Sequence, residues 1–428
     1  MDASTFRIIK PISIRDLALL SSNVPSTIQP IYSGATAYAA GALAGTMMGT
    51  VQSVYKSLQA NNIGHDPATS PLWWVSVGVV YEQFSPTKSY AVGDVVQLDN
   101  PSFTVTIASM LVSALAHFRK DGEVLTLSTT GTLPPEYSTG VEYFIVQSTT
   151  NSFKLSKTKG GQPIVASSAG AGVHTATMSS HMVYESLTAP NSGNIPYKTL
   201  GTSWLEVGTV NKYQMFDAAY QSQTQNMGSI DVSLHTASLV NAVVLLNTEG
   251  MSATVTQVES GYSQTRPLRQ HPVNNWYDFY FTDPVAADDL SFEDIPPVIG
   301  GTLNVVVNGG AGVAKCGVLH AGARTLIGKT EQGLTREIDD FSVTKADDWG
   351  NVNLVKRAYS QKLRMDVEID KADADMVTRY LEQNRATELV FICMTGYSMT
   401  YLYGFLGPWS FSLKNGISIL NSQIKGLV

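Results

Sequence analysis

A short sequence pattern occurs twice in the first half of this chain, once compact and once split by a long insertion. The compact copy reads Ser33-Gly34-Ala35-Thr36-Ala37-Tyr38-Ala39-Ala40-Gly41, then Val54-Tyr55-Lys56-Ser57-Leu58, then Trp74-Val75-Ser76-Val77-Gly78. The split copy reads Ser85-Pro86-Thr87-Lys88-Ser89-Tyr90-Ala91-Val92-Gly93-Asp94, then Val183-Tyr184-Glu185-Ser186-Leu187, then Trp204-Leu205-Glu206-Val207-Gly208. Tyr55 lies 19 residues before Trp74, and Tyr184 lies 20 before Trp204. From Gly41 to Tyr55 is 14 steps and from Gly93 to Tyr184 is 91, so the second copy carries about 77 extra residues in one loop. A loop whose ends lie close together tolerates such an insertion at small entropic cost. The chain must therefore build the same small module twice and let one copy carry a guest, which suits display or binding more than catalysis.

The pattern divides the chain. Residues 1–30 read as an arm with one strand at Phe6-Arg7-Ile8-Ile9-Lys10, expected to lie on another domain or subunit. Residues 31–83 form the first module. Residues 84–100 together with 181–224 form the second. Residues 101–180 alternate as strands separated by turns and read as an inserted all-β domain. Residues 225–334 hold six strand-like runs at sandwich spacing, among them Trp276-Tyr277-Asp278-Phe279-Tyr280-Phe281, Leu303-Asn304-Val305-Val306-Val307 and Cys316-Gly317-Val318-Leu319-His320. Gly309-Gly310-Ala311-Gly312 between the last two reads as a hairpin turn. Residues 335–428 read as an α+β docking block. The clearest helix of the chain falls there, at 371–385, with Met376, Val377, Tyr380 and Leu381 on one stripe. Strands surround it, and the apolar runs Ile417–Leu420 and Ile424–Val428 are expected to pair in a sheet. The fold class that follows is mainly β and multidomain: two small modules, an inserted β domain, a β-sandwich and a C-terminal α+β block.

Charge narrows the partners. Only 15 % of the 428 residues are charged, against roughly 25 % in an average soluble protein, and the net charge is −7. Phosphate backbones call for clustered Lys and Arg, which this chain lacks, so nucleic acid is not expected as a partner. The uncharged stretch around Ile31–Val51 contains Gly41, Gly45 and Gly49 at membrane-helix spacing, but Tyr38 and Gly41 align with Tyr90 and Gly93, beside Lys88 and Asp94. No membrane span is expected. Cys316 and Cys393 sit in apolar stretches and read as buried free thiols, with a single disulfide as the alternative. The first ten residues lack the basic-then-apolar order of a secretory signal.

The usual chemical constellations are incomplete. Gly322 and Gly328-Lys329-Thr330 enclose five residues where a phosphate-cradling loop needs four, and no helix pattern follows. The seven histidines (His65, His117, His174, His181, His235, His271, His320) show no metal-ligand spacing. Asp288-Asp289, Glu293-Asp294 and Asp347-Asp348 could supply carboxylate pairs for glycoside cleavage, but charge runs in loops are usually solvated. No enzyme activity, metal or cofactor is expected. The aromatics of the repeat remain: Tyr38, Tyr55, Trp73, Trp74, Tyr90, Tyr184 and Trp204. Either they form a platform that stacks on a sugar ring, or they build the cores of two very small modules. The sugar-binding candidates are Tyr90, Tyr184 and Trp204 in the second module, which keeps Gly93-Asp94, with Tyr55 and Trp74 in the first.

The pattern Tyr-x-x-Gly-Asp, Val-Tyr-x-Ser-Leu and a late Trp resembles small chitin-binding-like carbohydrate modules. Trp204–Gly208 through Lys212–Asp217 is similar to the segment that closes such modules in tailed-bacteriophage tail proteins. Thr130-Gly131-Thr132-Leu133-Pro134-Pro135, with Tyr143–Val146 and Asn151–Ser156, resembles a β-unit of phage virion proteins. Asp348–Arg357 and Tyr401–Phe405 also resemble the tail-protein family. The resemblance implies a structural, homo-oligomeric component of a virion tail (tail tip, baseplate or adaptor), assembled in the host cytoplasm. Its implied partners are other phage tail proteins, copies of itself and host surface polysaccharide. A receptor-binding, lectin-like virion subunit is the alternative.

Overall fold

The computed structural model describes residues 5–217, 219–270, 276–281, 285–286, 288–331, 333–346, 352–357, 359–394, 397–413 and 416–427. It is mainly β and contains two compact units: Arg15–Leu17 with Pro25–Tyr213, and Met1–Ile14, Ala18–Val24 with Gln214–Val428.

In the first of these units each copy of the repeat folds into three strands. They are Leu43–Met48, Val51–Ser57 and Trp74–Gln83 in one copy, and Val95–Asp99, His181–Ser186 and Trp204–Thr209 in the other. Strands are antiparallel within each copy. A parallel seam, with Glu82 opposite Val96 and Gln83 opposite Gln97, joins all six in one sheet. Both middle strands meet a bulge at the same place, between Val54 and Tyr55 and between Val183 and Tyr184. Opposite it, the third strand carries an extra residue, Val77 or Val207, followed by Gly78 at φ +124° or Gly208 at φ +151°. Bulged backbone of this kind favours glycine, which explains why both copies keep one there.

The guest is a closed six-stranded barrel built from Ser102–Ala108, Leu111–Ser113, Val124–Thr129, Glu142–Val146, Ser152–Ser156 and His174–Met178. Val105, Ile107, Leu125, Phe153 and Leu155 alternate inward to fill it. It grows directly out of the host hairpin, since His181 lies opposite Asp99 and Thr177 opposite Ser102. Between host and guest, Asn100 N–H donates to the Ser180 carbonyl (2.7 Å) and Ser180 N–H to Asn100 Oδ1 (3.0 Å). The two ends of the insertion are thus tied side by side, as a tolerated insertion requires.

The other unit contains a 13-stranded sheet. Its arm strand, Thr5–Pro11, is an interior strand: Ile8 pairs with Thr325 on the long strand Gly301–Thr330 and with Phe391 on Leu389–Ile392. The path runs on through Tyr401–Ser412, Ile417–Gly426 and Tyr359–Asp370, which returns to the long strand at Lys329–Glu368 and Thr330–Val367. The six strands close a circuit around Phe6, Ile8, Val367, Phe391, Leu420 and Ile424. Residues on either side of position 334, read from sequence as a sandwich and a separate block, therefore share one sheet and one core.

Three expectations are corrected here. The glycines at 309–312 are not a hairpin turn, because Ser229 pairs with Asn308 and Met227 with Val313 on one continuous neighbour, so the long strand keeps its direction and the glycines form an outward bulge. The segment Trp276–Phe281 is a short helix, within an excursion bracketed by the two-residue ladder of Arg269–Gln270 and Val285–Ala286. Trp276, Tyr277 and Tyr280, which a strand would divide between its two faces, are all exposed. The amphipathic helix spans Ala374–Gln383, and its buried stripe is Ala374, Val377 and Leu381, with Met376 exposed. The two closing apolar runs do pair in a sheet: they fall on one strand, Ile417–Gly426, held between two others in the sheet interior. Cys316 and Cys393 are buried free thiols. Gly322 and Gly328 lie on the long strand against the carbonyls of Lys10 and Glu368, so this stretch is sheet and not a phosphate loop. No helix among the described residues is long and apolar enough to cross a membrane.

Candidate functional site

The aromatic constellation repeats ring for ring. In the second module Trp204 meets Tyr90 edge-on (5.3 Å, 68°) and Phe84 edge-on (5.8 Å, 87°), while Phe84 stacks on Tyr90 (5.9 Å, 24°). In the first, Trp74 meets Tyr38 (4.9 Å, 72°) and Tyr32 (5.9 Å, 88°), and Tyr32 stacks on Tyr38 (5.8 Å, 20°). The indole Nε1–H donates to the carbonyl of Asn194 from Trp204 and of His65 from Trp74, each at 2.8 Å. The Ser85 and Ser33 N–H groups donate to the Tyr90 and Tyr38 hydroxyls, each at 2.8 Å. Asn191 and Asn62, both buried, donate to Ser186 Oγ and Ser57 Oγ. Sequence reading missed Tyr32 and Phe84; the available signal was an aromatic directly before the serine that opens each copy.

These placements decide between the two roles open to the aromatics. Trp204 is 0 % exposed, Tyr90 and Trp74 2 % and Tyr184 4 %, all inside the module cores. A ring with no exposed face has none to offer a sugar, so these four candidates serve as core. Tyr55 is half-buried and packs against the same cluster. Trp73 is half-buried and stacks on His65 (3.9 Å, 11°), where the second module has Ser203 and Asn194.

A polar cluster in the same unit has no counterpart in the sequence reading. The His181 ring nitrogens lie 2.9 Å from Asp99 Oδ1 and 2.8 Å from Asp16 Oδ1. Asp16 also accepts from the Tyr213 hydroxyl and from Asn100 Nδ2, each at 2.8 Å, and the Tyr213 ring lies flat on the imidazole at 3.8 Å. Burial opposes the charge on His181, but the Asp16 and Asp99 carboxylates outweigh it and hold its pKa above the ordinary value. Burial likewise pushes Asp16 up, and its bonds from His181, Tyr213 and Asn100 overcome that and bring it to about 2. With both nitrogens engaged, the imidazolium works as a clasp on the segment Arg15–Leu17.

The sheet unit carries a cleft of about 550 Å³ with Tyr220, Gln221, Asn247, Lys356, Arg357 and Tyr403 in its wall. Asn247 is fixed, donating to the Tyr220 carbonyl (2.7 Å) and accepting from Gln223 (3.1 Å). Behind it Asp289 accepts the Asn247 N–H (2.9 Å), and burial pushes its carboxyl up to about 7. Of the other sequence-flagged carboxylates, Glu293 pairs with Arg7 (3.1 Å) and Asp294 accepts the Tyr262 hydroxyl (2.8 Å), while Asp347-Asp348 lies outside the described residues. His271 also lies outside them. No group of His, Cys, Asp and Glu among the described residues has metal-binding geometry. No family model, curated protein or solved structure matches this chain.

Proposed function

We propose that this chain is a structural, non-enzymatic component of a bacteriophage tail, sited in the tail tip, the baseplate or an adaptor. In this reading its C-terminal half docks onto other tail proteins and copies of itself, and its repeated modules are display units. The observation that carries it is the duplicated module with a closed barrel grown from one hairpin. Such a unit projects a guest fold on a small rigid base, and its aromatics are spent on its own core. The segments that resemble tail proteins extend the reading to the rest of the chain.

A lectin-like, receptor-binding role is the second reading, favoured by the exposed Trp276, Tyr277 and Tyr280 and by the polar cleft of the sheet unit. Labelling of purified particles with an antibody to the guest barrel tests the main reading. Gold at the tail, together with stoichiometric recovery of the chain from washed virions, is the expected outcome. Recovery only in the particle-free fraction would overturn it.

A further inference from the structure

We propose that the cleft of the sheet unit is a binding site for a carboxylate-bearing sugar unit, held by Lys356 and Arg357. The proposal rests on and deepens the lectin-like second reading above, and it places glycan contact in the sheet unit and not on the repeated modules, whose core rings are buried. Its first support is charge. Among the described residues the cleft wall contains Lys356 and Arg357, adjacent and both exposed, and no Asp or Glu, in a chain whose net charge is −7. Two neighbouring cations at the rim of a concave surface attract an anion and give it a planar guanidinium on which a carboxylate seats with two parallel hydrogen bonds.

The second support is the rest of the wall. Tyr220 is held protonated by burial and by the nearby Asp289, so its hydroxyl keeps its proton at any physiological pH, while Tyr403, whose hydroxyl donates to Glu388 (3.3 Å), still offers its oxygen as an acceptor. Gln221 and Gln361 add carboxamides that both donate and accept, which matches the paired donor and acceptor character of sugar hydroxyls. Leu402 and Leu427 supply an apolar surface for the C–H face of a ring. The volume, about 550 Å³, falls within the range of small-ligand clefts. A simple inorganic anion would use the cations and leave the amides and phenols idle, whereas a charged sugar uses all three kinds of group.

Titration calorimetry on the full chain tests this with a galacturonic acid trimer, a neutral maltose-series trimer, hexaglutamate and inorganic phosphate as probes. The uronic trimer is expected to bind saturably, more tightly than the other three, and to weaken several-fold on raising salt. The double variant Lys356→Gln, Arg357→Gln is expected to lose about tenfold or more in affinity with an unchanged melting temperature. Leu402 is nearly buried and is left intact, so the comparison does not depend on a core change. Absence of saturable uronic binding, equal affinity in the double variant, or equal or tighter binding of phosphate overturns the sugar site. Tighter binding of hexaglutamate would make the cleft a peptide site. The tail reading fails separately: a chain found on particles that binds no uronic trimer overturns the cleft alone, and a chain that binds the trimer but is missing from particles overturns the tail assignment alone.

Discussion

Gln52 and His181 occupy the same position in the two copies of the module, and each clasps an upstream segment of the chain. Gln52 accepts the Gln29 N–H (2.7 Å) and donates to the Gln29 carbonyl (2.9 Å). His181 instead reaches Asp16 and Asp99 through its two ring nitrogens. One copy is therefore clasped by an amide that does not titrate, and the other by an imidazole that does.

The sign of the pH dependence follows. His181 has a folded pKa above 6.5, so its contribution is complete below 6.5 and is lost as pH rises through the raised value. Asp16 runs from 3.8 unfolded to about 2 folded, so its contribution is present above 3.8 and lost as pH falls toward 2. The clasp is strongest between these limits, in mildly acidic solution. His181→Gln is expected to remove about 1 kcal/mol at pH near 5.5 and to flatten the alkaline limb of the melting profile. A variant that keeps the wild-type alkaline slope would mean another group sets it.

Trp204→Ala is expected to cost about 3–5 kcal/mol in chemical unfolding, as the loss of a fully buried indole does. Tyr90→Phe, which removes the acceptor for the Ser85 N–H and the longer bond from the hydroxyl to the Ser85 carbonyl, is expected to cost about 1 kcal/mol. Near-native stability of the Trp204 variant would contradict its place in the core.

The guest barrel should be removable. Joining Asp99 to His181 through a two-residue Asn-Gly turn preserves their pairing and replaces residues 100–180 with a turn suited to a tight hairpin. The shortened module is expected to fold, less stable by about 1–2 kcal/mol because Arg119 of the guest sits 3.8 Å over the Tyr197 ring of the host. Loss of a cooperative transition would show that the barrel is part of the module core.

In the sheet unit, Arg7 and Glu293 form an ion pair at 3.1 Å with side chains 2 % and 8 % exposed. Arg324 reinforces it by donating to the Glu293 carbonyl (2.7 Å). Arg7→Ala leaves the buried Glu293 carboxylate with only the more distant Arg324 (3.7 Å) as a cation and is expected to destabilise this unit by about 3 kcal/mol, while Arg7→Met with Glu293→Leu recovers most of that. Equal loss in the single and double variants would argue that packing, not charge, holds the arm strand.

The sequence made the local features of this fold legible and left the distant ones hidden. The duplication, the guest and the helix near 374–383 leave periodic signals within windows of a few dozen residues. The pairing of Ile8 with Thr325 and Phe391 leaves none, because an interior strand looks the same whichever partners it has. Leu303–Val307 and Cys316–His320 look like two strands because glycines separate them, and only the neighbouring strand shows that they are one. Composition alone could not separate exposed rings from rings that pack: Trp204 and Trp276 are equally aromatic, and burial distinguishes them. The His181 clasp was hidden because Asp16 and Asp99 lie far from it in sequence.

The interior position of the arm strand fixes an order of manufacture. Ile9 is synthesised 315 residues before one neighbour, Arg324, and 381 before the other, Val390. The repeated modules and the barrel, all within Pro25–Tyr213, emerge whole in the meantime. Their contacts close early, whereas the sheet unit must hold an apolar strand unpaired until its late partners arrive. A translation product cut short before Val390 thus carries finished modules and an unfinished sheet, with its apolar arm strand lacking one of its two neighbours.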